Sequence, residues 1–258
     1  MGDPSAGGAR RINDRPFSER VIAAVAVPRV GAAVFLVAAV AFAVLALLAA
    51  FDEGALLAID EPIQRWVVDH RAAWLDDVMR AVTFLGSRYA VGSFVLAVAI
   101  WTYRADKCRV TLLILLVAFI LNPVVEFAFK ELVIARMRPQ LPSIGVGRGS
   151  SFPSGHVLAA VGFYAMLPAM VAQSIRRYRL QLAAAIVGVF FIVAIAASRV
   201  YIGVHWFTDV IGGVLLGSVI VLATYGALRG HRLDPARCRG HEAPADAQEP
   251  PRPSIRAR

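Results

Sequence analysis

The chain has 258 residues, of which 58% are hydrophobic and 17% charged, with a mean hydropathy of +0.64. Soluble domains hold about 45–50% apolar and about 25% charged residues, and disordered chains fewer apolar ones, so an integral membrane protein remains. The net charge of +9 raises the question of nucleic-acid binding, which is decided by where the charges sit.

A basic tail, residues 1–29, opens the chain. The first apolar run, Val30–Phe51, covers 22 residues without a charge. That exceeds the roughly 7–15 residues of a signal-peptide core, so it is read as an uncleaved span. A long acidic loop follows to Val82, with Trp66 and Trp74. It suits either a short amphipathic helix on the membrane surface or a packing element without chemistry. The second run is Thr83–Tyr103, with Arg88 at the interface. The third is Val110–Phe129, containing Asn122, Pro123 and Glu126. The fourth is Val157–Ser174, the fifth Leu182–Ala197 and the sixth Phe207–Leu228. None shows the period-2 alternation of a barrel strand, so all are read as helices. The predicted fold is all-α, a six-span bundle over residues 30–228, followed by a basic tail, 229–258, of disordered composition.

Sorted by alternate sides of these spans, 18 of the 27 basic residues fall with the two tails and the loops carrying Arg104, Lys107, Arg109, Arg176, Arg177 and Arg179. Against eight acids that side is +10; the other, nine bases against ten acids, is −1. The positive-inside rule then places both termini in the cytoplasm, and the +9 becomes a topology signal rather than a sign of nucleic-acid binding. Cys108 and Cys238 fall on the cytoplasmic side, where a structural disulfide is not expected.

The outer side carries the chemistry. Lys130–His156 and Ser198–Asp209 bring Lys130, Arg138, Arg199, His156, His205 and Asp209 to one face. Guanidinium forks and an ammonium suit phosphate oxygens. Ser154-Gly155-His156 precedes an apolar helix whose free N–H groups favour an anion, with Pro153 at its entry. His205 and Asp209, spaced i, i+4, are expected on one helix face, the carboxylate orienting the imidazole. Glu126 stands four residues before Lys130 and suggests an ion pair, with substrate gating as the alternative. Gly213 and Gly217 suggest close helix packing within the chain. No His/Cys/carboxylate spacing suggests a metal site.

These residues resemble the type 2 phosphatidic acid phosphatase, or lipid phosphate phosphatase, family, whose core is similar to that of vanadium haloperoxidases and glucose-6-phosphatase. The second family motif stands as Pro153-Ser154-Gly155-His156, and the third as Ser198-Arg199, five residues, His205, three residues, Asp209. The first, Lys, six residues, Arg-Pro, is present as Lys130 and Arg138-Pro139 with seven residues between them. A loop past the helix end is expected to absorb the extra residue, with Arg136 as the alternative ligand. The resemblance covers residues 110–228 and implies an acid-phosphatase-like catalytic core. It implies phosphoryl transfer without metal or cofactor: His205 as nucleophile, Asp209 as its orienter, His156 as general acid and base. Lys130, Arg138, Ser154, Gly155 and Arg199 would bind phosphate. The expected partners are membrane lipids and a lipid phosphate substrate. Outward topology favours an isoprenoid diphosphate such as undecaprenyl diphosphate, ahead of phosphatidylglycerophosphate or phosphatidic acid. A lipid phosphotransferase would share every motif.

Overall fold

The computed structural model of the chain describes residues 28–106, 119–165 and 177–230. Expectations for the two tails, for residues 110–118 and 166–174 of the third and fourth runs, and for Cys108 and Cys238 lie outside them. Among the described residues the fold is all-helical: α1 (Pro28–Phe51), α2 (Glu53–Asp69), α3 (Ala73–Leu85), α4 (Arg88–Asp106), α5 (119–127, ending in a π-helical turn, Ala128–Val133), α6 (Gly155–Tyr164), α7 (Tyr178–Tyr201) and α8 (Phe207–Gly230).

Three helices among the described residues, α1, α7 and α8, are long and apolar enough to cross a bilayer, and α3 with α4 makes a fourth if the bent pair is one span. The expected third and fourth spans run partly through residues 110–118 and 166–174, outside the described residues, and their described parts, in α5 and α6, are short. Leu36 and Val37 on α1 and Phe190 and Val193 on α7 are exposed, as lipid-facing side chains are. The expected second span is corrected most. Thr83–Leu85 closes α3, and the chain then bends by 48° at Gly86-Ser87 before α4 begins at Arg88. Gly86 is a close-approach position: a side chain there would meet the His156 carbonyl at 3.3 Å.

Helix α8 packs against α6 and α1, while α7 packs against α6 and α3. Val157, Val161, Ile195 and Val210 share one buried apolar cluster. The α6–α8 contact is close because of glycine: a Cβ on Gly213 would stand 2.8 Å from the Ser154 carbonyl oxygen, and one on Gly217 2.7 Å from Val161 Cβ. The small-residue pair thus packs within the chain, as its spacing implies. The acidic loop folds as α2 and α3. On α2, Trp66 is exposed, whereas Leu56, Asp60 and Gln64, four residues apart, form a buried face. Gln64 Nε2 donates to the Val200 carbonyl at 3.2 Å, joining α2 to the end of α7.

Candidate active site

The site lies where the C-terminal ends of α5 and α7 meet the N-terminal ends of α6 and α8. His205 stands on the tight turn from α7 to α8, not inside a helix as the i, i+4 spacing suggests. Gly203, at φ +78°, makes that turn; a side chain there would also meet Arg71 Nη2 at 2.9 Å. Arg71 clamps the turn from outside, its Nε and Nη2 donating to the Tyr201 carbonyl at 3.0 and 2.8 Å.

Asp209 lies in the first turn of α8 and reaches back: Oδ2 accepts from the Trp206 backbone N–H at 2.9 Å, a capping-box arrangement. The same oxygen is 3.5 Å from His205 Nδ1, a contact just beyond an ordinary hydrogen bond. Burial, then the charges of Arg199, Lys130 and Arg138, hold the His205 imidazole well below its usual range, against a smaller opposing effect of the Ser151 backbone. A neutral ring with its Nδ1 proton toward Asp209 keeps the Nε2 lone pair available.

That nitrogen faces Arg138, whose Nη1 is 3.4 Å away. Arg138 is held by carbonyls: Nε donates to Gly149 at 3.1 Å, Nη1 to Val204 at 2.5 Å, and Nη2 to Arg148 and Ser150 at 2.8 and 3.1 Å. Arg136 sits elsewhere. Its fully buried guanidinium pairs with Asp209 Oδ1 at 2.6 Å and Asp60 Oδ2 at 2.7 Å, and also donates to Thr208 Oγ1 at 2.8 Å. The one-residue excess between Lys130 and Arg138 coincides with the π-helical turn, closed by the Ile134 N–H donating to the Phe129 carbonyl, an i→i+5 bond. The helix end widens over Lys130, rather than the loop alone absorbing the residue.

The remaining expected residues border the same space. Ser154 caps α6 and is fully buried, its Oγ without a hydrogen-bond partner; its N–H donates to the Asp209 carbonyl at 3.1 Å. Arg199 donates from Nη1 to Thr83 Oγ1 at 2.8 Å and leaves its buried Nε unpartnered. His156, second residue of α6, stands within electrostatic reach of Arg199, His205 and Lys130. Lys130 Nζ meets Glu126 Oε1 at 2.6 Å, the pair anticipated from their spacing.

Two side chains that sequence reasoning did not single out complete the surroundings. Asp60 accepts from Arg136, from the Thr208 N–H at 2.9 Å and from Thr208 Oγ1 at 2.6 Å. Thr83 orients Arg199. The only local signal for Asp60 was a carboxylate on the same helical stripe as Leu56. Among the described residues, no three His, Cys, Asp or Glu side chains come together as a metal site. Chemically, the arrangement offers a neutral imidazole, a second histidine, three cations and a helix N-terminus around one anion-sized locus.

Comparison with known proteins agrees with this chemistry. Residues 111–232 match the PAP2 superfamily. Phosphatidylglycerophosphatase B of Bacillus subtilis (strain 168) is 30% identical over 187 residues, spanning 70% of this chain and 89% of that protein. The crystal structure described as the first transmembrane PAP2 type phosphatidylglycerolphosphate phosphatase, from Bacillus subtilis, superposes with a TM-score of 0.71 at 26% identity, covering 78% of this chain and 98% of that one. The chain therefore belongs to the PAP2 superfamily of membrane-associated lipid phosphatases, hydrolases of phosphoric esters.

Proposed function

We propose that this protein removes the terminal phosphate of a membrane phospholipid, phosphatidylglycerophosphate first, through a phosphohistidine on His205. The observation that carries the proposal is a buried, neutral His205 whose Nε2 faces Arg138, beside the N-terminus of α6. The Nε2 lone pair attacks phosphorus in line; the N–P bond forms as the P–O bond to the lipid breaks. Burial, then the charges of Arg199, His205 and Lys130, push the His156 imidazole of the free site down to about 3. The bound phosphate offsets those cations, so His156 takes up a proton as substrate binds and gives it to the departing oxygen. A water then attacks phosphorus, His156 takes its proton, and the N–P bond breaks to release inorganic phosphate. Lys130, Arg138 and Arg199, with Ser154 and the Gly155 N–H, hold the non-bridging oxygens. These fixed cations supply the charge that a metal provides in other phosphatases. Asp209 holds the His205 tautomer and stabilises the positive ring as it forms.

A six-span topology with both termini in the cytoplasm and the site on the outer face is supported by the +10 to −1 charge division. The likeness to phosphatidylglycerophosphate phosphatases favours that substrate over the isoprenoid diphosphate suggested by topology alone.

Purified protein in detergent, with EDTA present, tests the reading on a panel of phosphatidylglycerophosphate, phosphatidic acid and undecaprenyl diphosphate. Free phosphate is expected, fastest from the first; transfer to an acceptor without free phosphate would identify a phosphotransferase instead. His205→Ala is expected to lose turnover and any trappable phosphoenzyme. Normal turnover by that variant would overturn the mechanism.

A further inference from the structure

The reaction above leaves Glu126 unused, although its carboxylate stands inside the anion site. Lys130 Nζ is 2.6 Å from its Oε1. Any side chain on Gly155, the first residue of α6, would run into both carboxylate oxygens. The carboxylate thus covers the helix N-terminus where a phosphate oxygen belongs. It also acts electrostatically on Arg138 and Arg199. An ordinary i, i+4 ion pair accounts for the Lys130 contact but not for the seat against Gly155.

The fit is incomplete in an informative way. Two buried polar atoms of the same site, Ser154 Oγ and Arg199 Nε, have no hydrogen-bond partner while the carboxylate is in place. A carboxylate offers two oxygens and one charge to a site with more donors than that. The Glu126 side chain is 30% exposed, so it has room to swing aside.

We infer that Glu126 is a built-in occupant of the phosphate site: an internal competitor that singly charged phosphodiester headgroups bind too weakly to displace and that a terminal phosphate displaces. This rests on the lipid phosphatase reading above. A phosphodiester brings two non-bridging oxygens and one negative charge, the same as the carboxylate it would displace, so the exchange gains nothing electrostatically. The tethered carboxylate meanwhile competes at an effective concentration of roughly millimolar or above. A terminal phosphate brings three oxygens and a charge of about −1.5 to −2. It alone reaches the donors that the carboxylate leaves unused. Either ligand must displace the tethered carboxylate, which therefore raises the apparent KM for substrate and the concentration at which a phosphodiester inhibits by the same factor.

The test compares wild type with Glu126→Gln, which removes the charge and keeps the shape, and with Glu126→Ala. Phosphatidic acid is hydrolysed in nonionic micelles containing rising fractions of phosphatidylglycerol, a phosphodiester. Wild type is expected to keep its apparent KM as phosphatidylglycerol increases. Both variants are expected to show a lower KM without it, by about tenfold, and a KM that climbs several-fold as it is added. Variants whose KM and phosphatidylglycerol response match wild type, or whose KM rises without phosphatidylglycerol, would overturn the inference. A second measurement needs no variant: inorganic phosphate should inhibit the wild type and dimethyl phosphate should not, and equal inhibition by both would also overturn it. Failure of the wild type to release phosphate from any terminal lipid phosphate would instead overturn the lipid phosphatase reading.

Discussion

Replacing Arg136 by methionine removes the cation from a cluster with no access to water. The Arg136, Asp60 and Asp209 side chains are all 0% exposed, and the two carboxylates stand 2.7 and 2.6 Å from its guanidinium. Methionine fills most of the space but leaves both carboxylates without their counter-ion. Breaking a buried pair in this way costs about 3–5 kcal/mol. For a chain of this size one kcal/mol corresponds to about 2–4 °C in Tm, so a fall of about 6–20 °C is expected. Activity should fall as well, because Asp209 loses the partner that holds Oδ1 while Oδ2 faces His205. The double variant Asp60→Asn/Arg136→Met should lose less than the sum of the single changes, with a coupling of about 0.5–3 kcal/mol. Thermal denaturation in detergent, read beside kcat, measures all of this. A Tm within 3 °C of wild type, or full activity with additive losses, would refute the assignment of Arg136 to the support of Asp209 rather than to phosphate.

Two further outcomes follow from the geometry. His205 is neutral in the folded protein, whereas the unfolded ring titrates near about pH 6.5. Above that pH both states are neutral and nothing is lost; below it the unfolded chain takes up the proton first, and stability falls with pH. Tm measured from pH 7.5 down to pH 5 should therefore drop more steeply for wild type than for His205→Gln, and parallel curves would contradict the burial of a neutral ring. Gly213→Ala puts a Cβ 2.8 Å from the Ser154 carbonyl oxygen, which belongs to backbone that must shift. About 1–3 kcal/mol of stability and a marked loss of activity are expected together, and a stable variant of normal kcat would show that the α6–α8 contact tolerates more than the structure implies.

The residues easiest to read from the sequence are those whose signal is local. Ser154-Gly155-His156 before an apolar helix, and His205 four residues before Asp209, need only a few neighbours to be recognised, and the structure brings both groups to one place. Local spacing is less informative about how they meet: His205 lies in a turn, and Asp209 reaches it by folding back toward the α8 N-terminus. Arg136 and Arg138 show the limit more sharply. They are two residues apart and chemically alike, and only distant partners separate them, Asp60 for one and the Val204 carbonyl for the other. Asp60 was hidden for the same reason, since an amphipathic pattern does not reveal that one polar residue on the buried stripe meets an arginine 76 positions later. The π-helical turn at Lys130 was equally unreadable, because one extra residue can be taken up in a helix or in a loop.

The buried partnership of Asp60 also dictates when the site comes into being. Asp60 leaves the ribosome 76 residues ahead of Arg136 and 148 ahead of Thr208. At about 5–20 residues per second, its carboxylate waits on the order of ten seconds for the partners that enclose it. Helix α8 delivers Thr208, Asp209 and, just before it, His205, so the first two meet Asp60 and Arg136 only once α8 has been made. A segment cut to residues 111–232 would contain every motif residue and still lack Asp60, Arg71 and Thr83. Helices α2 and α3, and the turn between them, thus supply the side chains against which the later chain sets Arg136, Tyr201 and Arg199.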